Sequence, residues 1–329
     1  MTHLNCDCPE CHEIADLDSF DLAFLAMTGH ITFKSPVQAL ADVIKANKDV
    51  MLWGPQARLM YVILNKEYQK QLAKYIKAVR RAFNWTDATV DIAAIDAAYE
   101  RHAAEAGKKV WRKVSEKVIG ALQLTQRKSF AHFEKQRKKA EKVDYDPAAW
   151  EEFLVFALAD HLEEFIENYP ERILHPEIRR MATLMQSSTE ITALDLQNLS
   201  VRLDNVEKMV ARYQQTLSDV QVGRMWNFTG IEVAQQHGVQ RYQIQAHFDQ
   251  RTCPVCRRLD GKTGDVGQVH TRMLNVLETT DAGTINQRMP FPRLEDVDRL
   301  PPEAIHAMGL TPPFHSRCRC EVLFGWREI

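Results

Sequence analysis

Leu64-Asn-Lys-Glu-Tyr68-Gln-Lys-Gln-Leu72-Ala-Lys-Tyr-Ile76-Lys-Ala-Val79-Arg-Arg-Ala-Phe83 places a large apolar side chain at every third or fourth position. Leu64, Tyr68, Leu72, Ile76, Val79 and Phe83 form one stripe of an amphipathic helix, and Lys66, Lys70, Lys74 and Lys77 fall off it. Helical patterning extends outward from this stretch, from about Ser35 to Gly238. A second run spans Ala93 to Leu122. Asp144-Tyr-Asp-Pro147 reads as a turn capping a third helix through Trp150, Phe153, Leu154 and Ala157, which Tyr169-Pro170 should end.

The most regular stretch comes later. Leu196, Leu199, Leu203, Val206, Val210, Tyr213 and Leu217 alternate spacings of three and four, a heptad register rather than a plain helical one. Two readings fit it: a long helix packed antiparallel on a neighbour within the chain, or a coiled coil between chains that would make a homo-oligomer. After Gly238 the period changes to two. Tyr242, Ile244, Ala246 and Phe248 share a face of a strand over Gln240 to Phe248, and Glu321-Val-Leu-Phe-Gly-Trp326 is a second strand candidate. The Pro- and Gly-rich stretch between them holds a short helical piece near Glu303 to Met308. The expected fold is therefore a mainly α N-terminal region, a helical bundle with a long heptad helix, plus a small C-terminal α+β module stabilised by metal. Its expected divisions are 1–34 (a Cys-rich segment), 35–190 (helical domain), 191–238 (heptad connector) and 239–329 (C-terminal module).

Composition agrees with two or three domains. The 329 residues are 45% hydrophobic and 26% charged, and domains run to roughly 100–200 residues each. The 42 basic and 44 acidic residues nearly cancel, and 13 Gly with 13 Pro argue against disorder or a fibrous repeat. No window reaches the run of about 18 apolar residues that a membrane span needs, so a soluble protein with no membrane partner is expected. Met1-Thr-His-Leu-Asn-Cys-Asp-Cys8 lacks the basic start and apolar run of a secretory signal, so export and dense disulfides are not expected.

The seven cysteines lie at the two ends of the sequence. Cys253-Pro-Val-Cys256 has the spacing with which two thiolates converge on one ion from a tight turn, and His315-Ser-Arg-Cys318-Arg-Cys320 offers three more donors at the mouth of the second strand. Zinc favours four such N and S ligands in a tetrahedron. Four of the five are expected to bind: Cys253, Cys256 and Cys318, with Cys320 or His315 as the fourth. A small module with a thin core gains most from such a staple, and a structural Zn2+ is expected over disulfides or free thiols. At the other end, Cys8-Pro-Glu-Cys11 repeats the same form, with His3, Cys6 and His12 at hand. Cys6, Cys8, Cys11 and His12 make a weaker second metal site, set against a loose tail whose thiols do nothing ordered.

Phe248-Asp-Gln-Arg-Thr-Cys-Pro-Val-Cys-Arg-Arg-Leu-Asp-Gly-Lys262, followed by Pro312-Pro-Phe-His-Ser-Arg-Cys-Arg-Cys320 and a short hydrophobic strand, resembles the signature of phage Mu F-like head morphogenesis proteins. The helix from Trp226 to Gly238 that leads into a strand fits as well. The likeness covers about the last third of the sequence. It departs from the family at Ser316-Arg317, where Pro-Asn is frequent, and in the length of the loop between the blocks. It implies a structural minor capsid protein of a tailed phage, made with the portal protein and the major capsid protein. The location would be the virion, at the portal vertex or capsid interior, and the host cytoplasm during assembly. Some family members carry a toxin or enzyme domain after this module; with nine residues after Cys320, none is expected here.

The neutral total hides segregated charge. Lys108 to Lys142 holds twelve Lys or Arg against three acidic residues, and Asp144 to Glu171 holds nine acidic residues and no Lys or Arg. Such basic and acidic helices can pair with each other. A basic run, Arg137-Lys-Lys139 included, can also hold the phosphates of packaged double-stranded DNA non-specifically through counterion release. The competing functional reading is a metal-dependent hydrolase or nuclease acting on DNA, with Asp249, Asp260, His270 or His315 near the ion. The sequence offers it no nucleophile elbow, phosphate loop or H-E-x-x-H.

Overall fold

A computed structural model describes residues 54–85, 87–137, 147–187, 193–248, 252–289, 292, 295, 297, 311–315 and 318–324. The N-terminal cysteines, the Ser35–Trp53 part of the helical reading, Asp249 and the helical piece near Glu303 lie outside the described residues. The described residues are mainly helical, with two small antiparallel sheets.

Helix α1 (Gly54–Ala82) buries Leu64, Tyr68, Leu72, Ile76 and Val79, so the quoted stripe is the inner face of this helix. Phe83, the last residue of the stripe, is buried too but begins strand β1 (Phe83–Asn84), which pairs with β2 (Thr89–Val90). The second helical run divides in two: α2 (Ile92–His102), whose N-cap Asp91 accepts from the Ala94 N–H, and α3 (Ala106–Arg137). The third helix, α4 (Pro147–Tyr169), starts on its proline, which needs no N–H there. It stops as expected at Tyr169. The chain does not leave the axis, however. Pro170–Leu174 forms a single π-helical turn that runs into α5 (His175–Ser187).

The heptad stretch is not one helix. It breaks at Asn205, between α6 (Ala193–Asp204) and α7 (Val206–Gln236). The backbone N–H of Asn205 still bonds to Val201 and Arg202, so the two helices are joined by a tight bend that the apolar register passes through. Leu203, Val206, Val210 and Leu217 are buried within this chain, and Tyr213 stacks on Tyr169 of α4 at 4.1 Å and donates to the Phe165 carbonyl. Helix α7 lies against α1, α3 and α4, and α3 lies against α1 and α4. Close approach decides one residue: a Cβ on Gly107 of α3 would stand 2.5 Å from the Ile166 carbonyl oxygen of α4. At Gly230 of α7 it would stand 2.5 Å from the Phe133 ring.

Past Gly238, which has positive φ, the C-terminal region carries strands β3 (Arg241–Gln245), β4 (Thr263–Asp265) and β5 (Glu321–Phe324) in the order β4-β3-β5, all antiparallel. Tyr242 and Ile244 face inward, as the period of two requires. Among the described residues, three helices lie between the strands in sequence: α8 (Pro254–Leu259), α9 (Val266–Leu277) and α10 (Ala282–Arg288). They enlarge the module's core beyond the thin one expected, because α9 buries Val266, Val269, Met273, Val276 and Leu277. Helix α9 and strand β5 both lie against α7. No helix among the described residues is long and apolar enough to cross a membrane.

Two substitutions test this packing. Gly107→Ala should cost about 1–3 kcal/mol, since backbone rather than a side-chain tip must move; a melting temperature equal to wild type would contradict the α3–α4 contact. Val206→Asp should cost about 3–5 kcal/mol as an unpaired buried charge, seen as a lower melting point of the monomer. Loss of an oligomer with unchanged monomer melting would instead show an interchain seam.

Candidate metal centre

Cys253 is the N-cap of α8, and its Sγ accepts from the Cys256 N–H at 3.4 Å. Pro254 at the first helical position holds the turn that aims both sulfurs one way. The rest of the motif is scaffold. Leu259 is fully buried, Asp260 accepts from the Ala246 N–H at 2.8 Å, and Gly261 has φ +73. From that turn the Gly261 N–H bonds to the Ile244 carbonyl, and the Lys262 carbonyl accepts from the Ile244 N–H, each at 2.8 Å. The Leu-Asp-Gly-Lys segment thus ties α8 to β3.

The second block arrives on the other side. Pro313 lies against Gly223 of α7, Phe314 is buried, and the Cys318 N–H closes a turn on the His315 carbonyl at 3.2 Å. The chain then enters β5, whose Val322 N–H donates to Asn227 of α7 at 3.2 Å. The expected donors meet. His315 Nε2 lies 3.1 Å from Cys253 Sγ and 3.0 Å from Cys256 Sγ, and Cys256 Sγ lies 3.9 Å from Cys318 Sγ. Cys253, Cys256 and His315 form one group of mutually close donor atoms; Cys256, Cys318 and Cys320 form a second. Cys256 belongs to both.

All five residues are buried, and the four cysteines carry no disulfide. Two sulfurs bound to one ion at about 2.3 Å stand about 3.8 Å apart across a tetrahedron, close to the separation of Cys256 and Cys318. Hydrogen bonds with Cys253, then with Cys318 and Cys320, push the Cys256 thiol far up, and burial adds to this. Burial opposes ionisation of Cys318 as well. Yet hydrogen bonds from Cys256 and Cys320, with the His315 charge beyond them, hold its thiol well below the ordinary range. Crowding and burial thus oppose joint ionisation of these thiols, and a cation would favour it. The set could hold a metal ion.

Of the residues of the hydrolase reading, His315 belongs to the cluster and Asp249 lies outside the described residues, while the other two have structural partners. Asp260 caps α8, and His270 of α9 pairs with Glu232 of α7 at 2.7 Å. Neither potential ligand group contains a carboxylate among the described residues. Sequence reasoning missed the polar contacts behind the cluster: Glu321, next to Cys320, lies 3.5 Å from His247 and 3.9 Å from His132. The described part of the basic run forms an exposed side of α3 through Lys109, Arg112, Lys117, Arg127 and Lys135. Among the described residues, Lys113 pairs with Glu67 of α1 and Lys108 with Glu105. No family model matches the chain, and no curated protein or solved structure matches it.

Because Cys256 is shared by both groups, Cys256→Ser should abolish metal binding, measured by elemental analysis. His315→Asn and Cys320→Ser should part company, one retaining full metal content and the other not. Equal retention in all three variants would contradict a metal centre here.

Proposed function

We propose that the chain is a structural minor capsid protein of a tailed phage that acts in head morphogenesis, with a structural Zn2+ closing its C-terminal module. The observation that carries this reading is the convergence of Cys253, Cys256, His315, Cys318 and Cys320 in one buried cluster. These are the residues of the two blocks that resemble the Mu F-like signature. Thiolate-rich, closed ligation suits a zinc that folds a module rather than one that turns over substrate.

In this reading the helical body is a bundle that engages the portal protein or the major capsid protein, and the zinc module is a rigid docking element. The site is the virion, at the portal vertex or capsid interior, reached from the host cytoplasm. The exposed basic side of α3 would face packaged DNA, binding phosphates without reading bases.

Zinc and assembly are tested together. The purified protein should carry about one zinc per chain in its C-terminal cluster, a binding free energy on the order of 10 kcal/mol for structural sites. It should be retained by immobilised portal or major capsid protein. Cys253→Ser should lower the yield of infectious particles; normal particles and normal zinc content from that variant would sink the proposal. DNA cleavage by the zinc-loaded protein, lost in His270→Ala, would replace it with the hydrolase reading.

A further inference from the structure

Arg224 of α7 is 3% exposed, and no carboxylate among the described residues forms an ion pair with it. Its Nε is buried with no hydrogen-bond partner. One turn earlier on the same helix, Gln221 is 1% exposed, and both its amide oxygen and its amide nitrogen are unpartnered. His161 of α4, the helix packed against this part of α7, is fully buried with neither ring nitrogen hydrogen-bonded. The backbone groups of Val276 and Thr279, at the end of α9, approach that ring without making good hydrogen bonds.

Each of these groups is costly to bury alone, and a native interior pairs such groups with few exceptions. Here Gln221 and Arg224 lie one turn apart on α7, and the Arg224 charge acts on His161 of α4, whose ring the end of α9 also approaches. Burial pushes the Arg224 guanidinium down only to about 10, so it stays charged near neutral pH. Burial, and then the Arg224 charge, hold His161 down to about 4, so its imidazole is neutral there. Among the described residues, no negative charge with several acceptor atoms meets this group. A guanidinium presents its N–H groups in a fork that fits a carboxylate or phosphate, a side-chain amide adds two donors, and a neutral imidazole adds one.

We propose that Arg224, Gln221 and His161 form a binding site for one small oxyanion, a phosphate or a carboxylate, held inside the helical body. It is separate from the cysteine cluster and independent of the capsid reading. The ion would serve as the counter-charge that the described residues do not provide.

The test uses the full, metal-loaded chain dialysed into chloride. Melting is followed while inorganic phosphate, or acetate in a second arm, replaces chloride at constant ionic strength. Wild type should show a saturating rise of about 5 °C at a hundredfold excess over Kd, with phosphate or acetate identifying the oxyanion class. Arg224→Met should lose the saturable response and melt in chloride no lower than wild type, since an apolar isostere removes an unpaired buried charge. If Arg224→Met fails to fold, Gln221→Leu decides: its affinity for the active anion should fall about tenfold through the lost amide donors. No saturable response in wild type to either anion would overturn the proposal. So would an unchanged response in Arg224→Met, or an unchanged affinity in Gln221→Leu.

Discussion

From Leu217 to Ala234, helix α7 is buried residue after residue, whereas a surface helix hides one stripe and shows the rest to water. Polar side chains caught inside must then find partners close at hand. Ser218, Asn227 and Thr229 donate back to carbonyls of their own helix one turn earlier. Glu232 takes His270 from α9. Because α7 has no free side over this length, α1, α3 and α4 cover it from the body while α9 and β5 cover it from the C-terminal region. The position of the cysteine cluster follows from that arrangement, since Pro313 rests on Gly223 and Asn227 holds the β5 backbone.

The cluster itself is an electrostatic device. Several thiols crowded in a dry site resist joint ionisation, and a single divalent cation reverses the sign of that interaction. Packing holds the surroundings in place: Leu259 and the inner face of α9 belong to the one hydrophobic core that also fills the helical body. An ion would therefore fix the relative placement of two chain segments rather than substitute for a missing core.

Much of the fold was legible where period and burial coincide. The α1 stripe, the Pro147 start, the Tyr169 stop and strands β3 and β5 stand in the amino-acid sequence because each is a local pattern with a local cause, whereas the three-residue β4 is too short to show a period. The bend at Asn205 was not, since the apolar register of Leu203, Val206 and Val210 runs through it unchanged. The π-helical turn was hidden for a related reason: Pro170 forbids the ordinary hydrogen bond but does not say whether the chain turns away or widens its helix. Helix α9 carried a readable signal in Val266, Val269, Met273 and Val276, masked by the Gly and Pro around it. At the site, spacing identified all five donors. It could not show that Cys256 is common to both groups, which depends on how two distant segments fold together. Nor could it show the Arg224 charge acting on His161, an effect between helices that no local pattern encodes.

The two halves of the cysteine cluster are 62 residues apart in the chain. At a synthesis rate of about 5–20 residues per second, the Cys253–Cys256 pair precedes its partners by about 3–12 s. During that interval the nascent chain carries a two-thiol claw with no lid, open to a weakly held ion or to oxidation. The order of events on the ribosome, and not only the final geometry, thus decides how long this thiol pair stays exposed before its neighbours exist.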